Sequence, residues 1–253
     1  MSPLHQEAIV NYLYDETFEG FLTCVKHHYY TEKAENIFPA NGTYQLDLTR
    51  YAMTVETDEE AAYTVHRAII DKISKWDAER IHRLFCTNEP QKEIKMLRYL
   101  ELGFKQGSRI RLLHGHPVVN DVQKAEQRLG AEVHRLTGLI RFSETADNLL
   151  YAGFEPDNDV LEFLAPHFCD RFRYDPFILH DKSRGKALFA YDKEWHITAF
   201  AEQEIQMSEN EASYRKLWKQ YFKVMATKER INPKCQKNFM PVRYWKNLPE
   251  MNG

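Results

Sequence analysis

Phe177-Ile-Leu-His180-Asp181, Lys186-Ala-Leu-Phe-Ala-Tyr191 and Glu194-Trp-His-Ile-Thr-Ala-Phe200 follow one another, separated only by Lys182-Ser-Arg-Gly185 and Asp192-Lys193. Each run is short and rich in aromatic and aliphatic residues, and each is bounded by turn formers. They read as three strands, the last two as an antiparallel meander. Just upstream, Leu139-Ile-Arg141-Phe142-Ser143 and Asn148-Leu-Leu-Tyr-Ala152-Gly-Phe154-Glu155 alternate like two more strands joined by a short turn. Asp157 or Asn158 is then placed to cap a helix over Val160–Arg171.

Moving outward, Ile9–Asp15 has the composition of an opening strand. Thr17 caps a helix over Phe18–Tyr30, whose Phe18, Phe21, Leu22, Val25 and Tyr29 recur at helical spacing. Pro39–Gly42 reads as a turn, Tyr51–Glu56 as a short strand, and Asp58 as the cap of another helix. Helical patterning then continues through Ala78–Phe85, Gln91–Lys105 and Val119–Leu136, with Asn120 or Asp121 as the cap of the last. A final helix covers about Glu209–Thr227. The expected fold class is α+β: a mostly antiparallel sheet of about five strands with packed helices and a helical middle segment. No linker divides the chain. Residues 1–253 read as one domain, with a helical subdomain over 77–135 and a basic aromatic segment over 214–250.

The net charge of −3 conceals an uneven distribution. From Arg215 to Lys246 there are ten Lys or Arg, Lys228 and Arg230 among them, against one acid, Glu229; that stretch carries +9 and everything before it −11. Trp218, Tyr221, Phe222, Tyr244 and Trp245 are interleaved with these cations. Such a composition suits a surface that meets phosphates and stacks on bases, and it equally describes an amphipathic helix with a docked tail. No apolar run reaches membrane-spanning length, and the first residues lack a basic start followed by an apolar stretch. Cys24, Cys86, Cys169 and Cys235 lie far apart, outside any zinc, redox or iron–sulfur spacing. Reduced thiols, a cytoplasmic location, no membrane, no metal and no cofactor are expected. P-loop, dinucleotide and zinc-deaminase signatures are absent.

Candidate chemistry gathers in the second half. His167 and Arg171 stand four apart on one helix face, and His180, Asp181 and Arg184 follow directly after a strand. These groups could converge on a groove, with arginines as phosphate forks and a histidine as proton carrier. They could equally serve in structural ion pairs with the acidic body. His180 and Asp181 are adjacent on a strand and so face opposite ways, which argues against a triad.

Four blocks carry a resemblance. They are Tyr14-Asp-Glu-Thr-Phe18-Glu-Gly20-Phe21-Leu22, His167-Phe168-x-x-Arg171-Phe172, Ile178-Leu-His180-Asp181-x-x-Arg184-x-x-Ala187-Leu188, and Arg230-x-Asn232-Pro233-x-x-Gln236-x-x-x-Met240-Pro241-x-Arg243-Tyr244-Trp245-x-x-Leu248-Pro249-Glu250. Together they resemble a bacterial DNA-metabolism or DNA-repair family encoded beside a radical S-adenosylmethionine protein; a related segment is fused to uracil-DNA-glycosylase-like domains. The resemblance implies a role in DNA repair or modification with the radical enzyme as partner, and supplies no catalytic residue list. Among the matched residues, Asn232, Gln236, Arg243, Tyr244 and Trp245 are suited to backbone contact, amide readout and stacking. Asn232-Pro233 is also expected to end a turn.

Three functions follow. The first is a DNA-binding accessory protein acting with a radical S-adenosylmethionine enzyme, in which the basic end contacts phosphates, Tyr244 and Trp245 form a stacking platform, and Arg171, His180 and Arg184 rim a pocket. The second is a stand-alone enzyme acting on a damaged or modified base, with His180 or His167 as acid or base and Asp181 as orienter or water activator. The third is a protein–protein adaptor without direct DNA contact.

Overall fold

The computed structural model describes residues 10–41, 51–201, 205–225 and 232–251. The chain packs as two compact units, residues 1–128 and 129–253.

In the first unit, β1 (Val10–Tyr14) is the centre of a three-stranded sheet, flanked by β2 (Ala34–Pro39) and β3 (Tyr51–Thr54), all parallel. A central parallel strand is covered on both faces. Val10, Asn11, Tyr12 and Tyr14 are accordingly buried, and the phenols of the two tyrosines donate to the Glu32 carbonyl (2.7 Å) and to Glu93 Oε1 (2.9 Å). Helix α1 (Phe18–Tyr30) starts where Thr17 Oγ1 accepts from the Gly20 amide at 2.9 Å, and α2 (Glu59–Lys72) where Asp58 accepts from Ala61 at 2.9 Å. Both caps were legible in the sequence. Helices α3 (Lys75–Phe85) and α4 (Lys92–Gln106) complete the unit's layers, and α5 (Pro117–Leu139) follows. Helix α5 opens on Pro117 rather than on the expected Asn120 or Asp121, since proline fits the first helical turn without loss of a hydrogen bond.

The second unit holds a mixed five-stranded sheet in the order β4 (Ser143–Glu144), β5 (Leu150–Phe154), β6 (Phe177–Asp181), β7 (Lys186–Tyr191), β8 (Glu194–Ala199). Three of its pairings are antiparallel and β5–β6 is parallel. The class is therefore α+β as expected, with two corrections: the larger sheet is mixed, and the parallel three-stranded sheet is separate. The parallel pairing arises because α6 (Leu161–Arg171) carries the chain between β5 and β6. Beyond them lie α7 (Glu211–Met225), α8 (Pro233–Phe239) and a 3-10 segment over Val242–Asn247.

Two local readings are also corrected. Asp157 and Asn158 do not cap α6; their backbone amides donate instead to Glu132 at 2.9 and 3.0 Å. Asn232-Pro233 does not end a turn but opens α8, with Asn232 Oδ1 accepting from the Cys235 amide at 3.0 Å and proline in the first turn. Phe154, Leu164, Phe168, Phe177, Leu179 and Leu188 belong to the buried core of this unit. Among the described residues, no helix is long and apolar enough to cross a membrane.

Candidate nucleic-acid interface

Two clefts of the second unit share Arg141, Arg215 and Pro249 in their walls. One, about 560 Å³, is lined by the rings of Phe142, Phe172, Tyr214, Trp218 and Tyr221 together with Arg171. The other, about 270 Å³, is lined by Arg141, Lys182, Arg215, Lys219 and Lys246 and by the neutral polar groups Ser143, Tyr151 and Asn247. Among the described residues, no carboxylate lines the smaller cleft.

The aromatic wall is a face of α7. Tyr214, Leu217, Trp218, Tyr221 and Met225 recur at helical spacing, yet all are exposed. The rings of Trp218 and Tyr221 lie 5.7 Å apart, tilted by 32°. Glu250 pins this wall in place. One of its oxygens accepts from Arg141 Nη2 at 2.8 Å and the other from the Trp218 indole at 2.8 Å, and its side chain is wholly buried. The Arg141 guanidinium lies 5.3 Å from the Trp218 ring centre, a cation–π contact. Arg215 is held by Glu211 Oε1 at 2.7 Å and by Ser143 Oγ at 2.9 Å, and Lys246 by Glu155. These carboxylates orient the cations at the shared wall from outside the lining of the smaller cleft.

Of the residues singled out from the sequence, Arg171 lines the larger cleft together with Trp218 and Tyr221 of the basic segment; the Arg171 guanidinium sits 5.3 Å from the Phe172 ring centre. His167 is exposed on α6 with its ring edge-on to Phe168. His180 is buried, its Nδ1 2.8 Å from the Tyr151 phenol and its ring against Phe200. Asp181 is buried and organises the β6–β7 turn. Its Oδ1 accepts from the amides of Ser183 (3.0 Å) and Arg184 (3.2 Å), and its Oδ2 from Arg184 Nη1 (2.9 Å). Burial pushes the Asp181 carboxyl up, against the opposing pull of Arg184. The Arg184 guanidinium also donates to the carbonyls of Pro156 and Asp157, which ties the turn to the loop before α6. Neither His180 nor Asp181 lines either cleft, so the two do not share an open pocket with an arginine there.

The expected Tyr244–Trp245 stacking platform is corrected. Tyr244 is buried in the core of this unit and donates to Glu132, while Arg243 donates to Tyr244 Oη (2.8 Å) and pairs with Asp157 (2.6 Å). Trp245 is half-buried, its indole bonded to the Met240 carbonyl at 2.9 Å. Burial raises the Tyr244 phenol, and so does its bond to Glu132. Gln236 contacts Met251 Sδ at 3.8 Å, and Asn232 is the helix cap already described. Lys228 and Arg230 lie outside the described residues.

The sequence reading missed Lys182, Lys219, Lys246, Tyr151 and the Glu250 pin as a group. The +9 segment signalled Arg215, Lys219 and Lys246; Tyr151, Lys182 and Glu250 lie outside it. None of the four cysteines is in a disulfide, and burial pushes the Cys24 thiol up to about 12.

No curated protein matches this sequence. A family described as DUF4130, a domain of unknown function, matches residues 90–250, which include all the lining of both clefts; the chain belongs to that family.

Proposed function

We propose that this protein binds DNA through the paired clefts and serves in DNA repair or modification as an accessory to a radical S-adenosylmethionine protein. The observation that supports DNA binding is the adjacency of an exposed aromatic face to a cleft lined, among the described residues, by five cations and no carboxylate. Rings supply sequence-tolerant stacking and cations neutralise the strand, the combination that single-stranded nucleic acid requires. The partner rests on the resemblance of the terminal blocks alone, and retention of that enzyme in a nuclease-treated pulldown tests it. A catalytic reading through His180 and Asp181 is not favoured, because both are buried and Asp181 is occupied by its own turn.

Titration of labelled single- and double-stranded DNA across a salt series tests the binding. Engagement of about three phosphates of a single strand gives a slope near −2 in log K against log salt. Lys182→Gln and Lys219→Gln each flatten the slope by about 0.7. A flat salt response, or no binding at low salt, overturns the proposal.

A further inference from the structure

We infer that the cation-lined cleft is a seat for the terminal phosphomonoester of a nucleic-acid strand, with the end base against the Trp218 face of α7. The inference rests on the DNA-binding reading above and narrows it from a strand to a strand end.

Among the described residues, the charged side chains that line the smaller cleft are five cations around about 270 Å³, with Arg141, Arg215 and Lys246 backed by Glu250, Glu211 and Glu155. An internal phosphodiester offers one negative charge and two free oxygens. A terminal monoester offers close to two charges and three strong acceptor oxygens. Cations that follow a strand are spread along a groove, one phosphate after another, whereas here they gather in one place. Arg141 is fixed by Glu250 and the Gly138 carbonyl, and Arg215 by Glu211 and Ser143, so the two guanidiniums hold their positions in the wall before a ligand arrives.

The backbone makes room for this arrangement. A Cβ added to Gly153 would stand 2.8 Å from Lys182 Cε and 2.8 Å from Tyr151 Oη. Glycine at that point of β5 lets the lysine and the phenol approach each other across the strand. Tyr151 is in turn oriented by the buried His180, 2.8 Å away.

Asn247 belongs to the cleft lining, and its side-chain nitrogen is buried with no hydrogen-bond partner among the described residues. A buried donor left in this way calls for an acceptor, and a phosphate oxygen held by the neighbouring cations is one. The aromatic cleft shares Arg141, Arg215 and Pro249 with this one, which places a ring wall beside the phosphate seat.

The test is a competition assay on the full chain. Unlabelled short oligonucleotides of one sequence, either 5′-phosphorylated, 3′-phosphorylated or unphosphorylated, displace a labelled single strand. The expected result is that at least one phosphorylated form competes about tenfold better than the unphosphorylated one; the winning arm identifies the end recognised. In a Lys182→Gln/Lys219→Gln variant, checked for folding by thermal melting, that advantage disappears. Equal competition by all three forms overturns the phosphomonoester seat and leaves DNA binding standing. An advantage that survives in the folded double variant overturns its location. Failure of every oligonucleotide to bind overturns both readings.

Discussion

The last forty residues contain two stretches of nearly the same composition with opposite fates. Around Tyr244, the rings turn inward while the arginine stays at the surface: the phenol is buried on Glu132, the half-buried Trp245 indole bonds a carbonyl, and the exposed Arg243 pairs with Asp157. Around Trp218, an arginine, two tyrosines and a tryptophan stay open as the wall of a cleft. What separates them is where a carboxylate stands. Glu132 is buried and must be satisfied, so it recruits Tyr244 together with the amides of Asp157 and Asn158. Glu250 is also buried, but it takes the edge of Trp218 and the fork of Arg141, leaving the ring exposed at the cleft. Rings and cations in a sequence therefore say little about binding until their carboxylates are located.

The comparison breaks most visibly at Glu132. Glu132→Ala strands Tyr244, two amides and Arg243 together, and is expected to cost about 3–5 kcal/mol of stability in urea denaturation. The pH dependence has a definite sign. Burial opposes ionisation of Glu132, but the hydrogen bonds from Tyr244, Asp157 and Asn158 outweigh it and hold the carboxyl below its ordinary range. Its stabilisation is thus present above the unfolded carboxylate pKa and is lost as pH falls through the lower native value. Asp181 is shifted the other way, so its folded form binds the proton more readily and its titration favours the folded state as pH falls. In denaturation series from about pH 3 to pH 7, Glu132→Gln should reduce the acid-side loss of stability and Asp181→Asn should steepen it. Parallel behaviour of the two variants would contradict the assignment.

A smaller effect sharpens the same contrast in binding. Trp218→Ala is expected to weaken single-stranded DNA binding by about 1–3 kcal/mol, the worth of one base stack. Tyr244→Phe should leave affinity unchanged while reducing stability by about 1–3 kcal/mol through the unsatisfied Glu132. The reverse pattern in anisotropy titrations would exchange the roles of the two stretches. Smallest of all is His167→Ala. That exposed imidazole lines neither cleft, and its removal should move stability by no more than about 0.5 kcal/mol and leave binding as it was.

The legible features were local ones. Thr17 and Asp58 announce their helices because a cap acts within three residues, and the β7–β8 meander is announced by its own short turn. Strand β2, Ala34-Glu-Asn-Ile-Phe-Pro39, passed unnoticed. It lies at a sheet edge, tolerates a proline there, and owes its existence to pairing with β1, 25 positions away at Asn11 and Asn36. Helix α8 was hidden by a dipeptide that serves equally well in a turn and as a cap followed by proline.

The candidate site was legible only as a surplus of charge. Arg215, Lys219 and Lys246 come from the basic end, but Arg141, Tyr151 and Lys182 reach the same cleft from far earlier in the chain. By itself the sequence determined most of the helices and strands and the surplus of positive charge at one end, because capping, periodicity and net charge depend on neighbours or on simple counting. Tertiary structure alone decided which rings stay open and which cations converge. Those outcomes depend on carboxylates brought in from elsewhere: Glu132 lies 112 positions from Tyr244, and Glu250 109 from Arg141. No local pattern encodes which buried charge will claim which partner across such distances.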